Sequence, residues 1–509
     1  MLAVKTFDSL LSHLTRPALY AAGLLLIGWW LAAPRRPDEP VAAPLAVSPG
    51  LPVRAVAVDA VLPGETPVAH WLRVLLDTVR TAGRPRLQSA EAVRALYGPV
   101  PTPVWTRAGG APAPAAGALL TLLEQAPAYG LQPAYYELPR LQALRDSLAG
   151  PADAQRPARQ ARFEVYLSDA ALSLMRDLHR GRLRPATPSP AERASGTPFS
   201  PADTLRQALA AADVRAAVLG CQPRHREYRR LQAALARWLR EPVSPDSAAR
   251  WQARYEQVAL NLERWRWQAL PDSEYVLVNL PAFELLVVRA DSVRQQHRVV
   301  VGKPQTPSPT LSSQILYFTL APDWYVPRSI ATKEILPRVQ TDPGYLARNH
   351  YALYDRRGRL LDPWRVAWSR VTARNFAYII RQTAGCDNAL GNIVFRFPNP
   401  YAVYLHDTPA RQLFEQPQRA LSHGCMRVAE PMRLAAYLLR REDRPVQLPD
   451  EATCARDARA RNVWLRRPMP LHVCYATCGV AQGRLRFYPD IYRRDAALRR
   501  ALATAPPQP

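Results

Sequence analysis

The chain has 509 residues, of which 48% are hydrophobic and 21% charged, with 51 prolines; it is too long for one ordinary core, and the composition excludes a wholly disordered protein. The formal charge is +25 and almost entirely arginine, since Lys5, Lys303 and Lys333 are the only lysines. Genomic base composition accounts for such a bias as well as an anionic partner does, and without finger spacing or an aromatic-basic strand no nucleic acid is expected.

Lys5 and Arg16 precede an apolar run, 18–33, closed by Arg35 and Arg36. At about 16 residues it falls between a signal-peptide core and a full span. Residues 1–34 are therefore read as a signal peptide or an inner-membrane anchor, and the protein as exported. Residues 35–65, rich in Pro, Ala and Val, read as a linker. Over 66–268 apolar residues recur at three- and four-residue steps, predicting helices near 71–80, 117–125, 162–179, 226–240 and 248–267. Gly and Pro punctuate them, and nothing in this mostly α-helical domain points to chemistry.

At Pro271 the texture changes to short β-branched runs, predicting strands at 275–280, 283–288, 297–301, 315–320, 393–397 and 402–405. The stretch of about 322–386 is longer than a connector needs, and such insertions commonly cover a site. A helix is expected over 431–439, and 501–509 reads as a tail. The cysteines are Cys221, Cys386, Cys425, Cys454, Cys474 and Cys478. Cys474 and Cys478, close to Cys454, form an expected disulfide neighbourhood in an oxidising compartment. No histidine pair has metal-ligand spacing beside them, so neither metal nor cofactor is expected.

The strand ending at Leu405 runs into His406-Asp407-Thr408-Pro409, and after a fifteen-residue gap comes Ser422-His423-Gly424-Cys425-Met426-Arg427. A thiol with a free pKa of about 8.5 needs a base or a positive field to become a nucleophile. Two nearby histidines can supply the base. Gly424 permits the backbone that exposes Cys425, backbone N–H groups at the turn can hold an oxyanion, and Asp407 or its carbonyl can fix the His406 tautomer.

His406, the gap and Ser422-His423-Gly424-Cys425 resemble the signature of the L,D-transpeptidases with a YkuD-type catalytic domain. Asn261-Leu-Glu-Arg-Trp265, Val301-Gly-Lys-Pro304, Trp324-Tyr-Val-Pro327, Asn388-Ala-Leu-Gly391, Tyr404-Leu-His-Asp-Thr-Pro409 and Pro489-Asp-Ile-Tyr492 resemble the multi-domain YcbB-like branch. The resemblance implies a multi-domain α+β protein: a helical scaffold domain (66–268), then a mainly β catalytic domain (269–500) with a capping subdomain (322–386). It implies a periplasmic or cell-envelope enzyme acting on peptidoglycan tetrapeptide stems of the bacterial cell wall. Cys425 would form a thioester, releasing D-alanine, and a second stem would resolve it as a 3→3 cross-link. His406 would be the base, held through the Asp407 carbonyl. Gly424 and Cys425 would supply oxyanion donors, and carbapenems would acylate the same sulfur. Arg427, Ser422, His423, Tyr404, Asn388 and Trp324 are the expected substrate-side residues, Arg427 to shape the site or bind a carboxylate.

Two departures are evident. No small peptidoglycan-binding domain fits between Arg240 and Asp246, and His423 stands where the branch often has serine. Water or a protein amine as acceptor would make the enzyme an L,D-carboxypeptidase or a protein-to-wall attachment enzyme. A catalytically idle wall-binding scaffold is the non-enzyme alternative.

Overall fold

The computed structural model describes residues 64–82, 86–183, 199–268, 270, 272–444, 447–449 and 459–504. The expected leader, most of the linker and Cys454 lie outside them. Among the described residues, no helix is long and apolar enough to cross a membrane.

The N-terminal half is helical. Its axis is helix Arg156–Arg180, with Pro157 in the first turn and Gly181 (φ 80°) at the end. This helix is buried on nearly every side, carrying Phe163, Leu167, Leu174 and Leu178 into a core shared with Leu72, Leu119, Leu123 and Trp105. It also buries carboxylates. Glu164 accepts from the N–H groups of Val104 (2.8 Å) and Trp105 (3.0 Å), from Thr106 Oγ1 (2.6 Å) and from Tyr97 Oη (2.9 Å). Asp169 accepts from the N–H groups of Gln88 (3.1 Å) and Ser89 (2.6 Å). Gly181 is required here because a Cβ would come within 2.5 Å of the Glu263 carboxylate.

Helices Arg226–Trp238 and Ala248–Arg266 follow with only a short 3₁₀ turn at Pro245–Ser247 between them. They pack through Leu231, Leu235, Val258, Leu262 and Trp265 onto Tyr275, Leu277, Cys474 and Ala476 of the strand-rich half. Asn261 pins the contact, its Nδ2 donating to Thr477 Oγ1 (2.9 Å) and its Oδ1 accepting from Thr477 N–H (2.8 Å).

The strand-rich half begins with β1 (Glu274–Asn279), β2 (Glu284–Arg289), β3 (Ser292–Gly302) and β4 (Leu311–Leu320). An insertion follows, with β5 (Trp324–Tyr325), β6 (Tyr351–Tyr354), β7 (Leu360–Leu361) and β8 (Ile379–Gln382). Then come β9 (Ile393–Arg396), β10 (Leu405–His406), β11 (Ala420–Ser422), β12 (Met426–Val428), β13 (Arg461–Cys474), β14 (Cys478–Ala481) and β15 (Arg484–Phe487). The main sheet runs β11-β3-β12-β10-β9-β4-β13-β1-β2, and β2 pairs back to β3, so the strands from β3 round to β2 form a closed ring. Closure leaves those strands without a free edge. Inside lie Val276, Val278, Leu285, Val299, Phe318, Phe395, Leu405, Met426, Val428 and Leu471, and helix Pro431–Arg440 adds Leu434 and Leu438.

The expected strand over 402–405 is shorter than its apolar run suggests. Ala402 has φ 53°, and Asn399 ties the preceding turn by donating to the Phe397 (3.0 Å) and Val403 (2.8 Å) carbonyls. Only Leu405 and His406 remain in the ladder.

The insertion forms its own antiparallel sheet, β5-β8-β6-β7, over a separate core of Ile335, Val339, Leu346, Leu353, Trp368, Phe376 and Ile380. The expected Cys474–Cys478 disulfide neighbourhood is corrected: both are free and buried, pointing into the interface with the helical half. Cys386, at the end of the insertion, is disulfide-bonded.

Candidate active site

The site is built by strand register. In the parallel pair β10–β12, Leu405 faces Met426 and His406 faces Arg427; in the antiparallel pair β10–β9, Leu405 faces Phe395 and His406 faces Val394. Side chains alternate across a strand. Leu405, Met426 and Phe395 all point into the apolar core, so their neighbours Tyr404, His406, Cys425, Arg427 and Arg396 share the opposite face. One row across the strands reads Arg396, Tyr404, Cys425; the next holds His406 beside Arg427. Neighbouring strands are about 4.8 Å apart, which puts His406 on the diagonal from Cys425. The Met426 N–H to Tyr404 carbonyl bond of 3.1 Å locks this register.

The turn before Cys425 is held from three sides. Gly424 has φ 116°, a conformation that favours glycine, although a Cβ there would meet nothing closer than 3.8 Å. Ser422 Oγ donates to the Cys425 carbonyl (2.5 Å) and accepts from the Gly424 N–H (3.2 Å). From outside, Ser308 Oγ donates to the Gly424 carbonyl (2.7 Å), and Tyr492 Oη, which accepts from the Ser308 N–H (3.1 Å), donates to the Gly302 carbonyl (2.7 Å). The Gly424 N–H is thus occupied, contrary to its expected place as an oxyanion donor. The Cys425 N–H has no partner among the described residues.

His406 is 5% exposed, and its Nδ1 is buried without a hydrogen-bond partner. Burial, reinforced by the positive charges of Arg427 and Arg396 and opposed by the Asp407 backbone, brings its pKa down to about 3. Burial raises the Cys425 thiol pKa, with Tyr404, Arg396 and Arg427 pulling the other way. At neutral pH the thiol is therefore protonated and the imidazole neutral. The Asp407 carboxylate does not face the ring. It accepts from the Asn392 N–H (2.9 Å), and the space it fills is why Gly391, at φ 60°, can carry no Cβ.

Tyr404 stands edge-on to His406, 5.6 Å between ring centroids, and burial followed by the nearby Cys425 raises its hydroxyl pKa, with Trp324 opposing. Trp324 brings the first strand of the insertion to the site. A second link is the 2.6 Å ion pair between His423 Nε2 and Glu334 Oε1, so His423 joins the insertion to the cysteine turn. Asn388, expected to line the cleft, does not: it is 1% exposed, and its Nδ2 lies within bonding distance of the Pro322 (3.0 Å), Gln382 (3.2 Å) and Thr383 (2.9 Å) carbonyls. Its work is to shape the insertion's exit.

Sequence reasoning missed Arg396, Glu334 and Ser308. Arg396 carried a signal, a lone charge inside the apolar run Ile393-Val-Phe-Arg-Phe397. Among the described residues no cluster of His, Cys, Asp or Glu could hold a metal ion.

Comparison with known proteins follows the same division of the chain. Residues 91–235 match the Scaffold domain family, and residues 273–448 match the L,D-transpeptidase catalytic domain family, YkuD. A protein of Haemophilus influenzae named "Putative L,D-transpeptidase" is 32% identical over 241 residues, covering 47% of this chain and 48% of that one. The aligned part thus spans about half the length of that relative. Two solved structures align weakly. One, "Structure of the Ldtfm-avibactam carbamoyl enzyme", has 12% identity and a TM-score of 0.20 over 41% of this chain and 51% of that one. The other, "L,D-transpeptidase from Mycobacterium smegmatis", has 13% identity and a TM-score of 0.18 over 40% and 58%. Likeness at that level says nothing about the fold. Residues 91–235 thus carry a scaffold domain, and residues 273–448 an L,D-transpeptidase catalytic domain of the YkuD type.

Proposed function

We propose that the protein is a peptidoglycan L,D-transpeptidase that forms 3→3 cross-links between tetrapeptide stems. The observation that carries this is the register of β10 and β12, which puts Cys425 and a neutral, buried His406 on one face of the sheet, diagonal to each other across neighbouring strands.

His406 takes the thiol proton as the sulfur attacks the carbonyl before the terminal D-alanine. A C–S bond forms, and the oxyanion is met by the Cys425 N–H. The intermediate collapses with cleavage of the C–N bond, and the imidazolium returns the proton to the departing amine of D-alanine. The side-chain amine of a second stem then attacks the thioester. A new amide forms, the C–S bond breaks and the thiol is restored. Asp407 contributes through its backbone, which favours the protonated ring. Ser422 and Ser308 keep the nucleophile turn in place.

The test incubates the purified chain, and its Cys425→Ala variant, with disaccharide-tetrapeptide and reads the products by mass spectrometry. A dimer lighter by one D-alanine, absent with the variant, is the expected result. Tripeptide without dimer would move the assignment to an L,D-carboxypeptidase. A folded protein that forms neither product nor acyl-enzyme would overturn the proposal.

A further inference from the structure

A cavity of about 430 Å³, lined by none of the residues around Cys425, opens where helix Ala248–Arg266, the end of β13 and helix Arg494–Thr504 meet. Its size falls within the roughly 300–1,000 Å³ of small-molecule sites. Trp265, Trp267 and Tyr475 give it an aromatic lining, and Gln268, Thr310 and Arg494 a polar one. The walls are fixed before any ligand arrives. Arg264 pairs with Asp495 at 2.7 Å and so ties the two helices together. Asp490 accepts from the N–H groups of Arg494 and Asp495, both at 2.8 Å. The guanidinium groups of Arg264 and Arg494 lie over the Tyr475 ring, 5.4 and 4.7 Å from its centroid. The polar lining, by contrast, is uncommitted. Among the described residues the Gln268 and Thr310 side chains make no hydrogen bond, and Arg494 has no carboxylate partner.

The chemistry of these groups narrows the ligand. Gln268 and Thr310 each carry an acceptor as well as a donor, whereas an ionised carboxylate or phosphate only accepts. A ligand rich in hydroxyl groups meets both, and Arg494 then donates to a carbonyl or ring oxygen. Aromatic faces beside a few convergent polar groups suit a sugar ring, apolar on its C–H face and polar at its rim. We infer that the cavity is a saccharide site that holds the N-acetylated glycan strand of peptidoglycan. The inference rests on the proposed reading of the protein as a peptidoglycan enzyme. The acetamido carbonyl gives Arg494 its acceptor, and the sugar hydroxyls meet Gln268 and Thr310. A strand carries many stems, so holding it raises their local concentration around the protein, whatever the path to Cys425.

The experiment is isothermal titration calorimetry of the purified chain with chitotetraose and with the peptidoglycan disaccharide freed of its stem. Neither carries the peptide bond attacked at Cys425, so binding is read apart from the chemistry. Both should bind saturably. Gln268→Ala and Thr310→Ala should each weaken binding by about 5-fold, the size of one net hydrogen bond. Ala497→Phe, at an exposed position on the cavity wall, should fill the space and abolish binding. No saturable binding in wild type, or binding untouched by Ala497→Phe, would overturn the inference. Binding of the disaccharide without chitotetraose would also overturn it, because the lactyl carboxylate would then be what Arg494 takes. Acylation by a tetrapeptide stem, measured on the same protein, keeps the two readings apart. A chain that acylates but binds no saccharide loses the cavity's role alone. One that binds saccharide but never acylates keeps the cavity and loses the reading of Cys425.

Discussion

Two regions of the molecule bury polar groups, and the most buried of them fare differently. In the helical half, Glu164 is nearly inaccessible yet collects four donors, and Asp169 collects two backbone N–H groups. On the face of the sheet around Cys425, the His406 Nδ1 and Arg427 Nε are buried and have no partner. Buried polar groups are ordinarily satisfied because leaving one unpaired costs about 1–3 kcal/mol. The carboxylates of the first region are satisfied, although Arg94, Arg159 and Arg266 there also bury an Nε without a partner. Around Cys425 the unmet atoms belong to an imidazole and a guanidinium that share one face of the sheet. Neither burial nor an unmet hydrogen bond alone separates structure from chemistry; the company the atom keeps does.

The contrast can be broken most severely at the nucleophile. Cys425→Ala should lower acyl-enzyme formation and cross-linking by at least about 10³-fold, while the melting temperature stays within a degree or two, since the thiol satisfies no buried partner. A comparable loss of stability would show that the site is structural after all.

Glu164→Ala should do the reverse. It strands the N–H groups of Val104 and Trp105 and the hydroxyls of Thr106 and Tyr97, costing about 3 kcal/mol. Urea unfolding measures it, and the folded fraction should keep its acylation rate.

Gly391→Ala joins the two kinds of behaviour. Its Cβ would fall 2.4 Å from the Asp407 carboxylate, at a φ of 60°, so about 2 kcal/mol of stability should be lost. Because Asp407 follows His406 directly, the acylation rate should fall as well. Unchanged kinetics in this variant would separate the Asp407 loop from the base.

The smallest expected effect is a pH dependence of stability. His406 titrates at about 3 in the folded chain, and His297 and His472 are also held below the usual range, chiefly by burial. Between that range and about pH 6.5 the unfolded chain takes up protons that the folded chain refuses. The contribution of these histidines is therefore full above about pH 6.5 and declines as the pH falls below it, while Asp169, pushed up to about 6 chiefly by burial, works in the opposite sense. Thermal melts of wild type and His406→Gln from pH 8 to pH 4 isolate the histidine part: the difference between the two should shift as the pH falls.

Much of this was legible in the sequence. Three- and four-residue spacing located the helices, and Arg156–Arg180 and Ala248–Arg266 fall where the periodicity places them. The residues of the cysteine turn carry their chemistry in their types. Strand β13 did not announce itself. It holds Arg466, Arg467, Pro468 and Pro470, residues that argue against a strand. The structure admits them through an irregularity in its pairing with β4 between Trp464 and Met469. Asn388 misled for a different reason: a polar residue in a long insertion looks like a ligand contact until its backbone partners are known. Arg396 was passed over because its neighbours mark it as strand, and only register shows which face it occupies.

The ring of strands has a consequence for how the protein is made. Between β1, at Glu274–Asn279, and β4 lies β13, which pairs in parallel with the one and antiparallel with the other and completes the ring. Contacts so distant along the chain form slowly and late. A nascent chain that has already presented Cys425 holds the staves on either side but still lacks this keystone. Until synthesis has passed Cys474, the thiol belongs to an open sheet with raw edges, prone to pair with other chains. The setting of the site and the closing of the barrel are thereby timed together: Cys425 acquires its frame only when the last long strand drops into place.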